Sequence, residues 1–170
     1  MEEIRVNLQF LRSEYVRGIR LYLRKSGIAG PRDLIIMLFA LVLTAVLIWL
    51  KGMTVLNTAL VVLLGMVALM GIFVYVVRPG YQFDHTPQCR DNSAYTFTNE
   101  DIGLQNSSVA GVFQWTFIKF WNTEEFYFLI QDKQSYTMLP KRIFGGPKEW
   151  ERFEAMVKEA VPEIKYKDYR

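Results

Sequence analysis

The chain has 170 residues, 51% of them hydrophobic and 15% aromatic, with a formal net charge of +3. Soluble domains average about 45–50% apolar residues, so composition alone excludes little. Distribution excludes more: residues 1–32 hold seven Lys/Arg against three acids, and residues 79–170 hold eleven against thirteen. The larger folded part is therefore not basic, which argues against a nucleic-acid partner, and the single cysteine, Cys89, allows no intrachain disulfide and fits a reducing cytosol.

In chain order, Ile4–Phe10 alternates Ile4, Val6, Leu8 and Phe10 with Arg5, Asn7 and Gln9, the pattern of a half-buried strand. Ser13 then opens a helix with an apolar stripe of Tyr15, Ile19, Tyr22 and Leu23, while Arg17, Arg20 and Arg24 gather on another face. Gly27 to Pro31 ends it. Two readings stand: a basic segment lying at the anionic cytoplasmic leaflet, or a helix packed on the C-terminal domain whose arginines only enforce topology. In either case the strand needs a sheet, and the only candidate lies beyond the apolar segment that follows.

Between Leu34 and Val77 the one formal charge is Lys51. Leu34–Leu50 is long enough for about 26 Å of helix, close to the ~30 Å hydrocarbon core, and Met53–Val77 is longer. Both are apolar around the whole circumference, which predicts a transmembrane hairpin turning at Lys51-Gly52. Arg17, Arg20, Arg24, Lys25 and Arg32 precede the first span and Arg78 follows the second, so the positive-inside bias puts both termini in the cytoplasm. Those cations and Trp49 are the expected membrane-interface residues. Without ionisable groups inside the spans, the hairpin reads as an anchor rather than a channel or transporter.

After Pro79 the pattern turns to short strands. Tyr81–His85, Ala94–Thr98 and Ile102–Asn106 are candidates, followed by a long strand Val112–Trp121 with Phe113, Trp115, Phe117 and Trp121. Glu124 and Glu125 mark a turn, and Phe126–Ile130 and Ser135–Leu139 pair about Gln131–Gln134. Gly145-Gly146-Pro147 then starts a helix whose Trp150, Phe153, Val157 and Val161 share one face. With the N-terminal strand this gives roughly seven antiparallel strands and one helix. The expected fold is therefore an α+β membrane protein: a two-helix hairpin (34–50 and 53–77) plus a small antiparallel barrel of pleckstrin-homology-like type with a C-terminal helix. The count alone does not exclude another small β-barrel. The segments divide as a cytosolic strand and helix (1–32), the hairpin (33–78) and a cytosolic β-rich domain (79–170).

Ser13-Glu14-Tyr15 at the first helix, Phe97-Thr98-Asn99-Glu100-Asp101-Ile102-Gly103, Trp115, and Pro140-Lys141-Arg142-Ile143-Phe144 together carry a family likeness. Over nearly its whole length the chain resembles the YcxB-like family of bacterial two-helix membrane proteins. The resemblance implies an inner-membrane location and this architecture, and it implies no activity.

The Pro140–Phe144 stretch is the leading candidate for binding. Lys141 and Arg142 at a strand end could meet a phosphate, a lipid headgroup or an acidic partner, with Pro140, Phe144 and Trp115 beside them. The plainer alternative is that Pro140 ends the strand, Phe144 fills the core and the cations face water. His85 and Cys89 are too few for zinc, which takes three or four protein ligands. Ser107 and Ser108 lack a second histidine, and Glu100/Asp101 and Glu124/Glu125 fall in polar turns. The expectation is no catalysis, no metal and no cofactor. What remains is a membrane-anchored binding module, with membrane lipid and either a protein partner or a second copy as its contacts. Two alternatives stay open: an immunity protein that blocks a toxin, and a ligand-gated effector that disrupts membranes.

Overall fold

The computed structural model describes residues 3–27, 31–107, 110–115, 118–132, 135–161 and 165–170. Strand β1 (Ile4–Leu8) leads into the helices α1 (Arg12–Ser26), α2 (Pro31–Lys51) and α3 (Val55–Ile72), then a π-helical turn (Phe73–Val77) and α4 (Arg78–His85). Strands β2 (Ser93–Phe97), β3 (Asp101–Gln105), β4 (Ala110–Gln114), β5 (Lys119–Asn122), β6 (Phe126–Ile130) and β7 (Tyr136–Pro140) follow. A 3-10 turn (Lys141–Phe144), α5 (Pro147–Ala160) and β8 (Tyr166–Asp168) complete the order. The chain forms two compact units, one of Met1–Leu11 with Pro87–Arg170 and the other of Arg12–Thr86.

In the first unit, β1 buries Ile4, Val6 and Leu8 and exposes Arg5 and Asn7, as its alternation dictates. Its partner lies beyond the helices: β1 pairs antiparallel with β2, Ile4 opposite Phe97 and Leu8 opposite Ser93. One sheet has the order β1-β2-β3-β4 and the other β7-β6-β5-β8, with β8 parallel to β5. The fold is thus α+β with an antiparallel and a mixed sheet. Its core collects inward residues of both sheets and of α5, and Phe153 of α5 is at its centre. The Phe153 ring lies 4.5 Å from Phe144, 4.8 Å from Phe97 and 5.2 Å from Tyr127, within the range of favourable ring contacts. Gly145 holds φ 74°, where a side chain would be strained, and lets the chain reverse into α5 with Pro147 in its first turn.

In the second unit, α2 ends at Lys51 and Gly52 takes a positive φ of 75° just past it. The Thr54 hydroxyl accepts the Asn57 N–H at 3.2 Å and caps α3. The two helices pack on each other. Thr44, the one polar side chain between Leu34 and Leu50, donates to the Ala40 carbonyl at 2.8 Å and so keeps its hydroxyl satisfied within its own helix. Among the described residues one helix, Val55–His85, is long and apolar enough to cross a membrane, while Ile35–Lys51 is a shorter apolar helix.

Two strand expectations need correction. Tyr81–His85 is helical: it continues the rod from α3 through α4, and Tyr81 and His85 stack one turn apart with centroids 3.9 Å apart. The alternation of Tyr81, Phe83 and His85 resembled a strand, but Pro79 at a helix start suits the first turn of α4. The long strand Val112–Trp121 is two strands. Between them the Ile118 N–H bonds to the Trp115 carbonyl at 2.9 Å, and the Trp115 and Ile118 side chains go into the core; residues 116 and 117, Phe117 among them, lie outside the described residues. The parallel strand β8, with its charged sequence Tyr166-Lys167-Asp168, was not foreseen.

Candidate functional site

The Pro140–Phe144 turn follows β7 directly, and the Lys141 N–H bonds to the Glu125 carbonyl at 2.9 Å, which pins it beside the β5–β6 turn. This geometry turns Lys141 inward, leaving it 5% exposed. Its Nζ lies 3.9 Å from Glu154 Oε1 and stands over two rings, 4.7 Å from the Tyr127 centroid and 5.7 Å from that of Trp150. Tyr127 donates its hydroxyl proton to Glu154 Oε1 at 2.9 Å, and Trp150 donates its indole N–H to the Lys141 carbonyl at 2.7 Å. On the outer side, an Arg170 guanidinium nitrogen stands 3.5 Å from Glu154 Oε2 and 2.7 Å from Asp168.

The electrostatics follow from burial. Loss of water pulls the Lys141 ammonium below its usual range, against which Glu154 holds the proton on. Burial pushes the Tyr127 phenol well above the ordinary tyrosine value, and its hydrogen bond to Glu154 adds to the rise. Arg170 draws Asp168 below the usual carboxylate range by hydrogen bonding. The pair joins the turn after β7, which holds Lys141, to α5, which holds Glu154.

Arg142 goes the other way. It is exposed and donates to the Gln9 carbonyl at 2.7 Å, tying the turn to the chain that leaves β1. The two cations therefore do not share one surface where a single phosphate could bridge them. Phe144 and Pro140 are buried, Phe144 within the aromatic core. Trp115 is 2% exposed, and its indole N–H donates to the Thr98 carbonyl at 2.8 Å. It is a core residue with its polar edge satisfied.

Glu154 was missed by the sequence reading. The signal was present: with Trp150, Phe153 and Val157 on one face of α5, position 154 falls on the same face by the i, i+4 spacing from Trp150. A glutamate there requires a buried cation or donor nearby.

Of the expected interface residues, Arg17, Arg24, Arg32, Trp49 and Arg78 are exposed and Lys25 is half-buried. Arg20 is engaged: its Nε donates to the Tyr75 carbonyl at 3.2 Å, another guanidinium nitrogen reaches the Val76 carbonyl at 3.4 Å, and the group stands 5.8 Å from the Tyr75 ring centroid. Nearby on the same two helices, Arg12 forms a two-pronged pair with Asp84 at 2.9 Å, and Tyr15 meets Phe83.

An open groove of about 540 Å³ lies at the β4–β5 break, lined by Val112, Phe113, Gln114, Ile118 and Gln131. Val112 points outward from β4, the last strand of its sheet, and is 68% exposed. His85 is exposed and Cys89 half-buried. Among the described residues no three His, Cys, Asp or Glu side chains gather as metal ligands.

No curated protein and no solved structure matches the chain. A family model does, the one described as YcxB-like protein, over residues 97–157. That stretch runs from Phe97 at the end of β2 to Val157 in α5 and contains the Phe97–Gly103, Trp115 and Pro140–Phe144 motifs. Over those residues, which build most of the two sheets and the core-filling helix, the chain is similar to the YcxB-like family.

Proposed function

We propose that the protein is a non-enzymatic interaction module tethered to the cytoplasmic face of a bacterial inner membrane by α2 and α3 acting as a two-span hairpin. The observation that carries the reading is the outward apolar surface of those helices. Phe39 is 70% exposed, Trp49 84%, Val55 90% and Leu69 69%. No residue of α3 is buried. A monomer in water rarely exposes apolar patches larger than a few hundred Å², whereas lipid is a natural solvent for such a surface. At 21 residues, α2 reaches about 31 Å, the thickness of the hydrocarbon core. The basic excess before α2, with Arg78 after the apolar run, favours cytoplasmic termini.

The folded unit supports the interaction part of the reading. A four-stranded sheet, three further antiparallel strands and then a core-filling helix follow the element order of a pleckstrin-homology-like barrel. Folds of this kind serve many functions, so the argument rests on surface rather than fold. The outer edge of β4 carries no charge, exposes Val112 and borders the groove, which suits addition of an extended protein segment.

The test is alkaline carbonate extraction of membranes holding the full chain, combined with labelling of single cysteines at Met53 and Tyr169 in a Cys89→Ser background. Resistance to extraction, with the Met53 position labelled from outside and the Tyr169 position only after permeabilisation, is the expected result. Release by carbonate would overturn the anchor.

A further inference from the structure

We infer that β8 is a detachable strap, a strand that the chain lays on its own β5 edge and that opens without unfolding the rest of the sheet. The inference goes beyond the interaction reading above and does not depend on the anchor. In the sheet order β7-β6-β5-β8, removal of β8 leaves β5 as an edge. An unpaired edge is a template for another strand, and proteins keep such edges covered. The cover here is light. β8 has three residues and pairs parallel, with Tyr166 half-buried and Lys167 and Asp168 exposed. Parallel pairing is slightly the weaker kind. Two places along the same sheet, all five residues of β6 are buried. A segment with few buried apolar contacts opens at a lower free energy than the core it lies on.

Side chains hold the strap closed. Tyr166 stacks on Phe120 with centroids 5.3 Å apart, and Tyr169 meets Trp121 edge-on at 5.4 Å. The Tyr169 N–H donates to the Asn122 carbonyl at 2.7 Å, and the exposed Arg170 stands 3.5 Å from Glu154. Asn122 works against them. It lies opposite Asp168 in the register and is fully buried. Among the described residues its Nδ2 donates only to the Tyr166 hydroxyl, at the long distance of 3.5 Å, and its Oδ1 has no partner. A buried polar atom without a partner costs the free energy of its lost hydration. Opening β8 returns that atom to water and so offsets part of what the two tyrosines contribute. The closed strap keeps other strands off β5 and Arg170 beside Glu154; the open strap releases both.

Hydrogen exchange of the full chain in mild detergent, read by mass spectrometry on peptides covering β6 and β8, tests the strap. The β8 amides should exchange at least about a hundredfold faster than those of β6, as a locally opening segment does. Tyr169→Ala removes a ring contact and should speed β8 further while leaving β6 unchanged. Asn122→Leu and Asn122→Ala both remove the unpartnered oxygen, one filling its space and the other not. At least one of them should slow β8 about tenfold, the effect of relieving one unsatisfied buried group, with β6 still protected. Equal exchange of β6 and β8 in the wild type, or a Tyr169→Ala change that speeds both alike, would make β8 part of the cooperative core and overturn the strap. No slowing in either Asn122 variant would overturn the part assigned to that residue.

Discussion

The Arg20 guanidinium donates to the Tyr75 carbonyl, the one that residue 79 would serve in an α-helix, and residue 79 is a proline with no N–H to give. The apolar rod thus passes from α3 through a π-helical turn into α4, and Arg20 bonds to it at a carbonyl that Pro79 has no N–H to serve. Helix irregularities of this kind leave polar groups that something must satisfy.

Arg20→Ala should therefore cost about 1–2 kcal/mol, the value of a charged hydrogen bond onto a backbone group. The Pro79→Ala change returns an N–H to the helix. In that background Arg20→Ala should cost clearly less, and thermal unfolding of the four proteins in detergent measures the coupling. Strictly additive losses would show that the two residues do not act on the same carbonyl.

Neutralising the Pro140–Phe144 cations separately should give unequal results. Lys141→Ala leaves Glu154 without its buried cation and opens a cavity against Tyr127 and Trp150, so a loss of ~3 kcal/mol is expected. Arg142→Ala removes an exposed side chain bonded to a carbonyl and should cost within ~1 kcal/mol. Urea midpoints of the two variants decide the matter. Equal losses would put Lys141 at the surface after all. A binding defect in a Lys141 variant must accordingly be corrected for unfolding.

How much of this was open to reading depended on whether the signal was local. The alternation of Ile4, Val6 and Leu8 named a strand, and its isolation named a partner beyond the helices; both are properties of the chain itself. The α4 helix was missed because Tyr81, Phe83 and His85 alternate, while what decides their conformation is the helix already running into them from α3. The break in Val112–Trp121 carries no glycine or proline, so continuous aromatic residues looked like one strand. Lys141 looked like a surface cation because its burial depends on Tyr127, Trp150 and Glu154, brought together only by the tertiary fold.

Alkaline pH should destabilise the fold. Burial raises the phenols of Tyr127, Tyr95 and Tyr166 above the ordinary value of 10.0. The unfolded chain then loses protons that the folded chain keeps, so stability is full below pH 10.0 and falls as pH rises through the raised values. The lowered Lys141 acts in the opposite sense, adding stability with rising pH only until its unfolded value of 10.5. Above 10.5 Lys141 no longer opposes the raised tyrosines, and stability goes on falling. Urea midpoints of the full chain in detergent should decline there, and Tyr127→Phe should flatten the decline; an identical slope in the variant would remove Tyr127 from the account.

The first unit should fold in water without the helices, provided that β1 comes with it. Its chain leaves at Leu11 and returns at Pro87, and the flanking Arg12 and Asp84 form a direct ion pair, so a short flexible link can join the ends. Residues 87–170 alone lack Ile4, Val6 and Leu8 from the core and leave the edge of β2 open, with Tyr95 and Phe97 uncovered. An open, apolar strand edge invites aggregation. Joining residues 3–11 to 87–170 through a Gly/Ser linker should give a soluble monomer with cooperative urea unfolding, whereas 87–170 should aggregate or show no sharp transition. Cooperative folding of residues 87–170 by themselves would mean that β1 is an accessory to the sheet and not part of what holds it together.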